Sequence, residues 1–355
     1  MPPILIKNGR VWNGYCFTES DVLVEEGKVF KIAKDLDIPK GFVFEAAGMT
    51  VLPGLVDTHV HFSGPEPDRY GFNAEMSCLP FGVTAAADAG GAHADRYLAD
   101  NYLVKNVTFI RVPIKDDAPD FTYTERKLAL YDGNVIGLKV YFDTEKPGVR
   151  SSRPLQKICE YAKEHGFKLM VHCSDAPVPM AEYLPLLSPG DILTHAFHGA
   201  SHNAQEDDFA ALTEAQRRGV VVDTGFAGHV NTGLSLFKKA ISKGILPDTI
   251  STDITRASAY HRGGRYGLPM CMSMARAAGM EETDIFRAVT STPAKALGKE
   301  GTWGILKEGH TADIAVLEYG SEGFSLTDRF GGSLKSDYGY RCKLTVANGI
   351  IVWRD

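Results

Sequence analysis

The chain carries few features that would make function easy to assign. Its six cysteines (Cys16, Cys78, Cys159, Cys173, Cys271, Cys342) are scattered over 355 residues, with no Cys-x-x-Cys pair. That spacing argues against a thiolate zinc site, and a disulfide framework is not expected in a chain this long. Clusters of Lys and Arg are missing and the formal net charge is −6, so no nucleic-acid partner is expected. No apolar run approaches a bilayer span, which leaves no membrane partner to expect. The opening Met-Pro-Pro-Ile-Leu-Ile-Lys-Asn-Gly lacks the layout of a secretory signal, and a cytoplasmic location is the default expectation. Nor does a Gly-x-Gly-x-x-Gly or Gly-x-x-x-x-Gly-Lys-Ser/Thr motif open any helical stretch, so a nucleotide cradle is not indicated.

What is present divides into two textures. Residues 3 to about 51 read as short strands separated by turns, with Asn8-Gly9 as a hairpin signal, a further Asn13-Gly14 turn and another at Glu26-Gly27. The last residues repeat the theme: Asn348-Gly349 lies in a second apolar run that also reaches Val-Trp. The pattern predicts one small β-sandwich built from both ends, over 1–51 and 303–355, with a larger domain over 52–302 between them. In that larger part, apolar runs of strand length alternate with segments of helix length. Strands are expected at 51–58, 82–88, 107–113, 135–141, 168–172, 191–195, 219–223 and 249–253. Helical stretches such as 155–165, 206–218 and 233–243 lie between them and end near Gly166, Gly219 and Gly244. Eight strands joined by helical crossovers predict a (β/α)8 TIM barrel of class α/β.

Chemistry in such a barrel sits at the C-terminal strand ends. The first strand closes on Asp57-Thr-His59-Val-His61, and residues two apart on a strand point to the same face. One His-x-His pair is weak evidence for a metal, and a lone histidine at a strand end is more often a satisfied core residue. The other strand ends change that balance. Strand four carries Lys139, five ends in His172, six in His195 and eight in Asp253. Four imidazoles and a carboxylate at one rim point to a metal centre.

Taken together, these residues resemble the amidohydrolase superfamily, in its dihydroorotase-like branch of deacetylases and cyclic-amide hydrolases. The resemblance rests on Leu-Pro-Gly-Leu-Val-Asp-Thr-His-Val-His (52–61), on the strand-end ligands, on Ser-Thr-Pro-Ala-Lys-Ala-Leu-Gly (291–298) and on the return Gly304 to Val316. It covers nearly the whole chain. An ammonium has no lone pair, so Lys139 as written binds no cation. The resemblance implies that CO2 carboxylates it and that the carbamate bridges two divalent metals. His59, His61 and Asp253 would hold one metal, His172 and His195 the other. Zinc suits these donors, with manganese or another first-row metal open. Such a pair activates a bridging hydroxide, and Asp253 would serve as catalytic base and then proton donor. The implied activity is hydrolysis of an amide or ester of a small molecule, in the manner of an N-acyl or O-acyl deacetylase or a cyclic-amide hydrolase. A deaminase or lactonase of the same superfamily, an inactive scaffold homologue and a metal-free Lys139–aspartate network are the alternatives.

Departures from the family pattern narrow the choice. A dihydroorotase carries Arg where this chain has Ser63, and His where it has Ala257, so that activity is not expected. Candidate substrate contacts are His229 beyond strand seven, Tyr141 two past Lys139, and His198 and His202 beyond strand six. The loop from Arg256 to Arg265, with Arg256 and His261, would favour a carboxylate-bearing substrate if an arginine turns inward; otherwise it is a solvated basic loop. His93, His165 and His310 read as surface or loop residues, and Cys173 as a buried thiol. A homo-oligomer is expected from the resemblance.

Overall fold

A computed structural model of the chain describes residues 2–63, 70–90, 103–130, 134–144, 148–228, 230–261 and 265–355, apart from the His261 side chain. Strands from both ends share one eight-stranded sheet. It contains Ile4–Trp12, Phe17–Glu25, Lys28–Ala33, Phe42–Glu45, Thr50–Pro53, Ile314–Gly320, Gly339–Ala347 and Ile350–Arg354. Alternate residues of these strands, among them Ile4, Ile6, Val22, Val24, Ile314, Val316, Leu344 and Val346, form a core of their own. A separate two-stranded sheet joins Phe324–Thr327 to Ser333–Ser336.

The two Asn-Gly signals diverge. Asn348-Gly349, with φ of +51° and +74°, turns a hairpin in which Ala347 pairs with Ile350. Asn8-Gly9 does not: it lies inside one continuous strand, where pairing with Phe17–Glu25 slips between Ile6 and Gly9. The expected turn is a β-bulge. The Asn8 N–H leaves the ladder and donates to Asp21 Oδ1, and Gly9 packs so closely on Val51 that a Cβ there would come within 2.4 Å of its Cγ2.

The middle of the chain forms a parallel sheet of seven strands in sequence order. They are Leu55–Val60, Val83–Asp88, Lys105–Val112, Val135–Tyr141, Lys168–His172, Ile192–Thr194 and Val221–Val222. One face gathers Val56, Ala85, Ala87, Val107, Phe109, Met170 and Ile192 into an interior cluster. The other carries Ile110, Val112, Leu138, Val140, Leu169 and Val171 into the larger core. That core includes Leu155 and Ile158 of the helix Arg153–Glu164, and Phe237 and Ala240 of the helix Leu234–Ser242. Gly166, Gly219 and Gly244, each left-handed, follow helices as their positions predict.

Two expected strands differ. The run 51–58 breaks at Gly54: Thr50–Pro53 belongs to the terminal sheet and Leu55–Val60 to the parallel one. A side chain at Gly54 would meet Thr84 Oγ1 at 2.1 Å, so only glycine fits this crossing. The segment 249–253 is not a strand: Ile250 gives its N–H to the Ala288 carbonyl, outside any ladder, and Asp253 ends the run at φ +48°. It is tied instead by isolated parallel bridges, Asp223 to Thr249 and Val60 to Ile254. Among the described residues, no helix is long and apolar enough to cross a membrane.

Candidate metal centre

His59, His61, Lys139, His172, His195 and Asp253 come together at the C-terminal ends of the parallel strands. One ligand atom each from His59, His61 and Asp253 lies within 4.8 Å of the others. Asp253 Oδ1 is 3.0 Å from His61 Nε2 and 3.3 Å from His59 Nε2. Lys139 Nζ is 3.2 Å from His59 Nε2, and His195 Nε2 is 2.8 Å from His172 Nδ1. All but His172 are fully buried or nearly so.

The partners behind the rings decide which nitrogen is bare. His195 Nδ1 meets the Gly225 carbonyl at 2.7 Å; a carbonyl only accepts, so Nδ1 carries the proton and Nε2 a lone pair. Ser174 spends its hydroxyl proton on Asp143, so it accepts from His172 Nε2 at 3.0 Å. That leaves His172 Nδ1 bare. Thr194 likewise donates to Asp223 Oδ2 and accepts from His59 Nδ1 at 2.8 Å, which leaves His59 Nε2 bare. Asp223 is itself fixed by the hydroxyls of Thr58, Thr194, Thr249 and Ser251. Two unprotonated nitrogens facing each other at 2.8 Å repel unless something positive lies between them. The donor set therefore fits divalent cations, and neutral imidazole with carboxylate suits zinc.

Burial keeps these groups neutral. It drives His59 and His195 well below the ordinary histidine value, with Lys139 as the next contributor for His59 and His172 for His195. His172 is lowered chiefly by burial as well. The same desolvation pulls the Lys139 ammonium down to about 7, against an ordinary 10.5. Lys139 reaches His59, and no carboxylate among the described residues pairs with it, so the metal-free ion network is not what the geometry holds. His195 and Asp253 both adopt left-handed backbone, at φ +62° and +48°. Such conformations cost roughly 1–3 kcal/mol each and cluster at functional sites.

The expected substrate contacts fare unevenly. Tyr141 faces the centre, its ring 4.9 Å from His172, and its hydroxyl bonds with Tyr70. His198 is buried behind the centre, with Nε2 4.0 Å from the Cys173 thiol. Burial pushes that thiol up to about 12, as an inert structural cysteine requires. His202 pairs with Glu206 on the surface. The stretch read as a basic loop begins as a short helix, Arg256–His261, in which the Arg256 guanidinium lies 5.9 Å from the Tyr260 ring. His229 and the His261 side chain fall outside the described residues, as does His93.

Several residues near the centre were not singled out from the sequence: Asp223, Thr194, Asn231, Tyr70 and Arg111. Asn231 Nδ2 donates to Asp253 Oδ2 at 3.1 Å. Arg111 had a readable signal, since it stands one residue before the end of the third strand with the parity of Val107 and Phe109.

A deacetylase of Enterococcus faecalis is 28% identical over 353 residues, covering 92% of this chain and 93% of its own. A crystal structure of a dihydroorotase superposes with a TM-score of 0.87 at 24% identity, covering all of both chains. One of an adenine deaminase reaches 0.83 at 23%, covering 99% of each; at these identities both attest the fold alone. The model of the amidohydrolase family matches residues 50–351. With a buried His59–His61–Asp253 group able to hold a metal ion, the chain belongs to the amidohydrolase family, whose metal-dependent enzymes hydrolyse C–N bonds other than those of peptides.

Proposed function

We propose that the chain is a binuclear metal-dependent hydrolase that cleaves an amide or ester of a small, carboxylate-bearing molecule, as a deacetylase does. The observation that carries this reading is the pair of bare nitrogens, His195 Nε2 and His172 Nδ1, 2.8 Å apart beside the His59–His61–Asp253 group. His59, His61 and Asp253 would hold one cation and His172 with His195 the second. Lys139, carboxylated by CO2, would join them; burial supports this by leaving much of its amine unprotonated near neutral pH. Two divalent cations supply Lewis acidity and an activated water.

The chain's own groups do the rest. Asp253, oriented by Asn231, takes the proton from the attacking water and returns it to the leaving nitrogen or oxygen. Burial raises the Tyr141 phenol above its ordinary range, so it stays protonated and can donate to a carbonyl oxygen as charge develops there. The segment 249–254, bridged to the first strand and to Asp223 just past the seventh, supports a closed (β/α)8 barrel. The shared terminal sheet supports a composite domain that ends at Gly54.

Metal analysis and a substrate screen test this together. Protein expressed with zinc or manganese should hold about two metals per chain and turn over members of a panel of N-acyl amino acids, O-acyl hydroxy acids, cyclic ureides and lactones. Well under one metal per chain would remove the basis of the reading.

A further inference from the structure

One cation near the centre takes no part in holding it. Arg111 lies on the strand Lys105–Val112 and pairs in register with Lys139, so both side chains leave the sheet on the inward face. Val107 and Phe109, the inward positions before it, fill the interior cluster. The Arg111 guanidinium carbon is 5.0 Å from the centroid of the Tyr141 ring. That ring also lies 5.6 Å from Lys139 Nζ and 4.9 Å from the His172 ring. Tyr141 bonds with Tyr70, whose ring is 4.9 Å from His61. The half-buried Arg111 thus stands one aromatic ring away from both sides of the metal centre.

Arg111 Nε is buried and makes no hydrogen bond. Among the described residues no carboxylate pairs with the guanidinium. A desolvated donor without a partner is costly, and more so on a permanent cation. A substrate that brings an anionic group to this corner would remove the penalty. Ser63, two past His61, offers no charge that could do so instead.

We propose that Arg111 is a specificity residue that receives the substrate carboxylate beside Tyr141, selecting acyl compounds with an anionic group near the scissile bond. The proposal rests on the hydrolase reading. A guanidinium presents parallel N–H donors matched to two carboxylate oxygens, and the Tyr141 ring keeps its plane in place. Because Arg111 neighbours Lys139 in the ladder, a carboxylate held there leaves the acyl group within reach of the centre.

The test uses a ligand that cannot be hydrolysed. In 4-oxopentanoate a methylene replaces the amide nitrogen of N-acetylglycine; its neutral amide, 4-oxopentanamide, is the control. Calorimetric titration of the metal-loaded protein should show the acid binding more tightly than the amide. Arg111→Met should weaken acid binding roughly tenfold to hundredfold, leave amide binding unchanged and preserve metal content. Arg111→Gln repeats the test with a polar stem should the Met variant not fold. A wild type without preference, or a folded, metal-loaded variant that keeps it, would overturn the proposal. A preference lost in the variant, in a protein that hydrolyses nothing in the panel, would retain Arg111 as a carboxylate site and sink the hydrolase reading.

Discussion

Behind His59, His172 and His195, the ring nitrogen that turns away from the centre meets a fixed partner: Thr194, Ser174 with Asp143, and the Gly225 carbonyl. Those partners are anchored in turn, Thr194 by an aspartate that four hydroxyls hold. At the rim the supports are sparser. Arg111 rests against the face of Tyr141, its Nε buried without a partner. The floor is organised before any ligand arrives, which suits cations whose coordination tolerates little error. The rim has fewer such supports, so the specificity role proposed for Arg111 would be separable from the floor.

The largest expected effect breaks the floor at the residue that does two jobs. Asp253→Asn should lower kcat/KM by roughly a hundredfold to ten-thousandfold in protein loaded to wild-type metal content. Near-normal turnover in the loaded variant would remove Asp253 as the base. A smaller effect comes from behind the ligands. Thr194→Val takes away the acceptor for His59 Nδ1 and should weaken metal affinity roughly tenfold to hundredfold in chelator competition. The preference for 4-oxopentanoate over its amide should survive; if the preference disappears too, floor and rim are not separable.

The third effect depends on pH. With the Lys139 pKa drawn down to about 7, its amine is mostly neutral above that value and mostly ammonium below it. Only the neutral form attacks CO2. Bicarbonate-stimulated metal loading of stripped protein should therefore fall roughly tenfold for each pH unit below 7, and flatten above it. A flat profile between pH 6 and 8 would argue against the carbamate.

The same contrast governs what could be read from the sequence. His59, His61, His172 and His195 could be proposed as ligands from the sequence because histidines recur at the ends of the expected strands, a pattern that survives in one dimension. Thr194, Ser174 and Gly225 were not legible, since a hydroxyl or carbonyl becomes a support only when another strand brings a ring against it. Asn8-Gly9 shows this for the backbone: an identical dipeptide makes a hairpin at 348–349 and a bulge at 8–9, where Asp21 takes the Asn8 N–H. Asp253 lies beside His59 and His61 as the sequence suggests, yet the strand expected over 249–253 is not formed: Ile250 gives its N–H to Ala288, and Asp253 ends the run in left-handed backbone.

The terminal sheet has a consequence for synthesis of the chain. Thr50–Pro53 pairs on one side with Ile4–Trp12, already made, and on the other with Ile314–Gly320, which emerges roughly 260 residues later. At ribosomal rates of about 5–20 residues per second, that edge waits on the order of ten seconds or more for its partner. An apolar strand left open that long invites pairing between nascent chains. Slow translation of the middle segment should therefore lower the soluble yield, while an early, separately supplied C-terminal fragment should raise it.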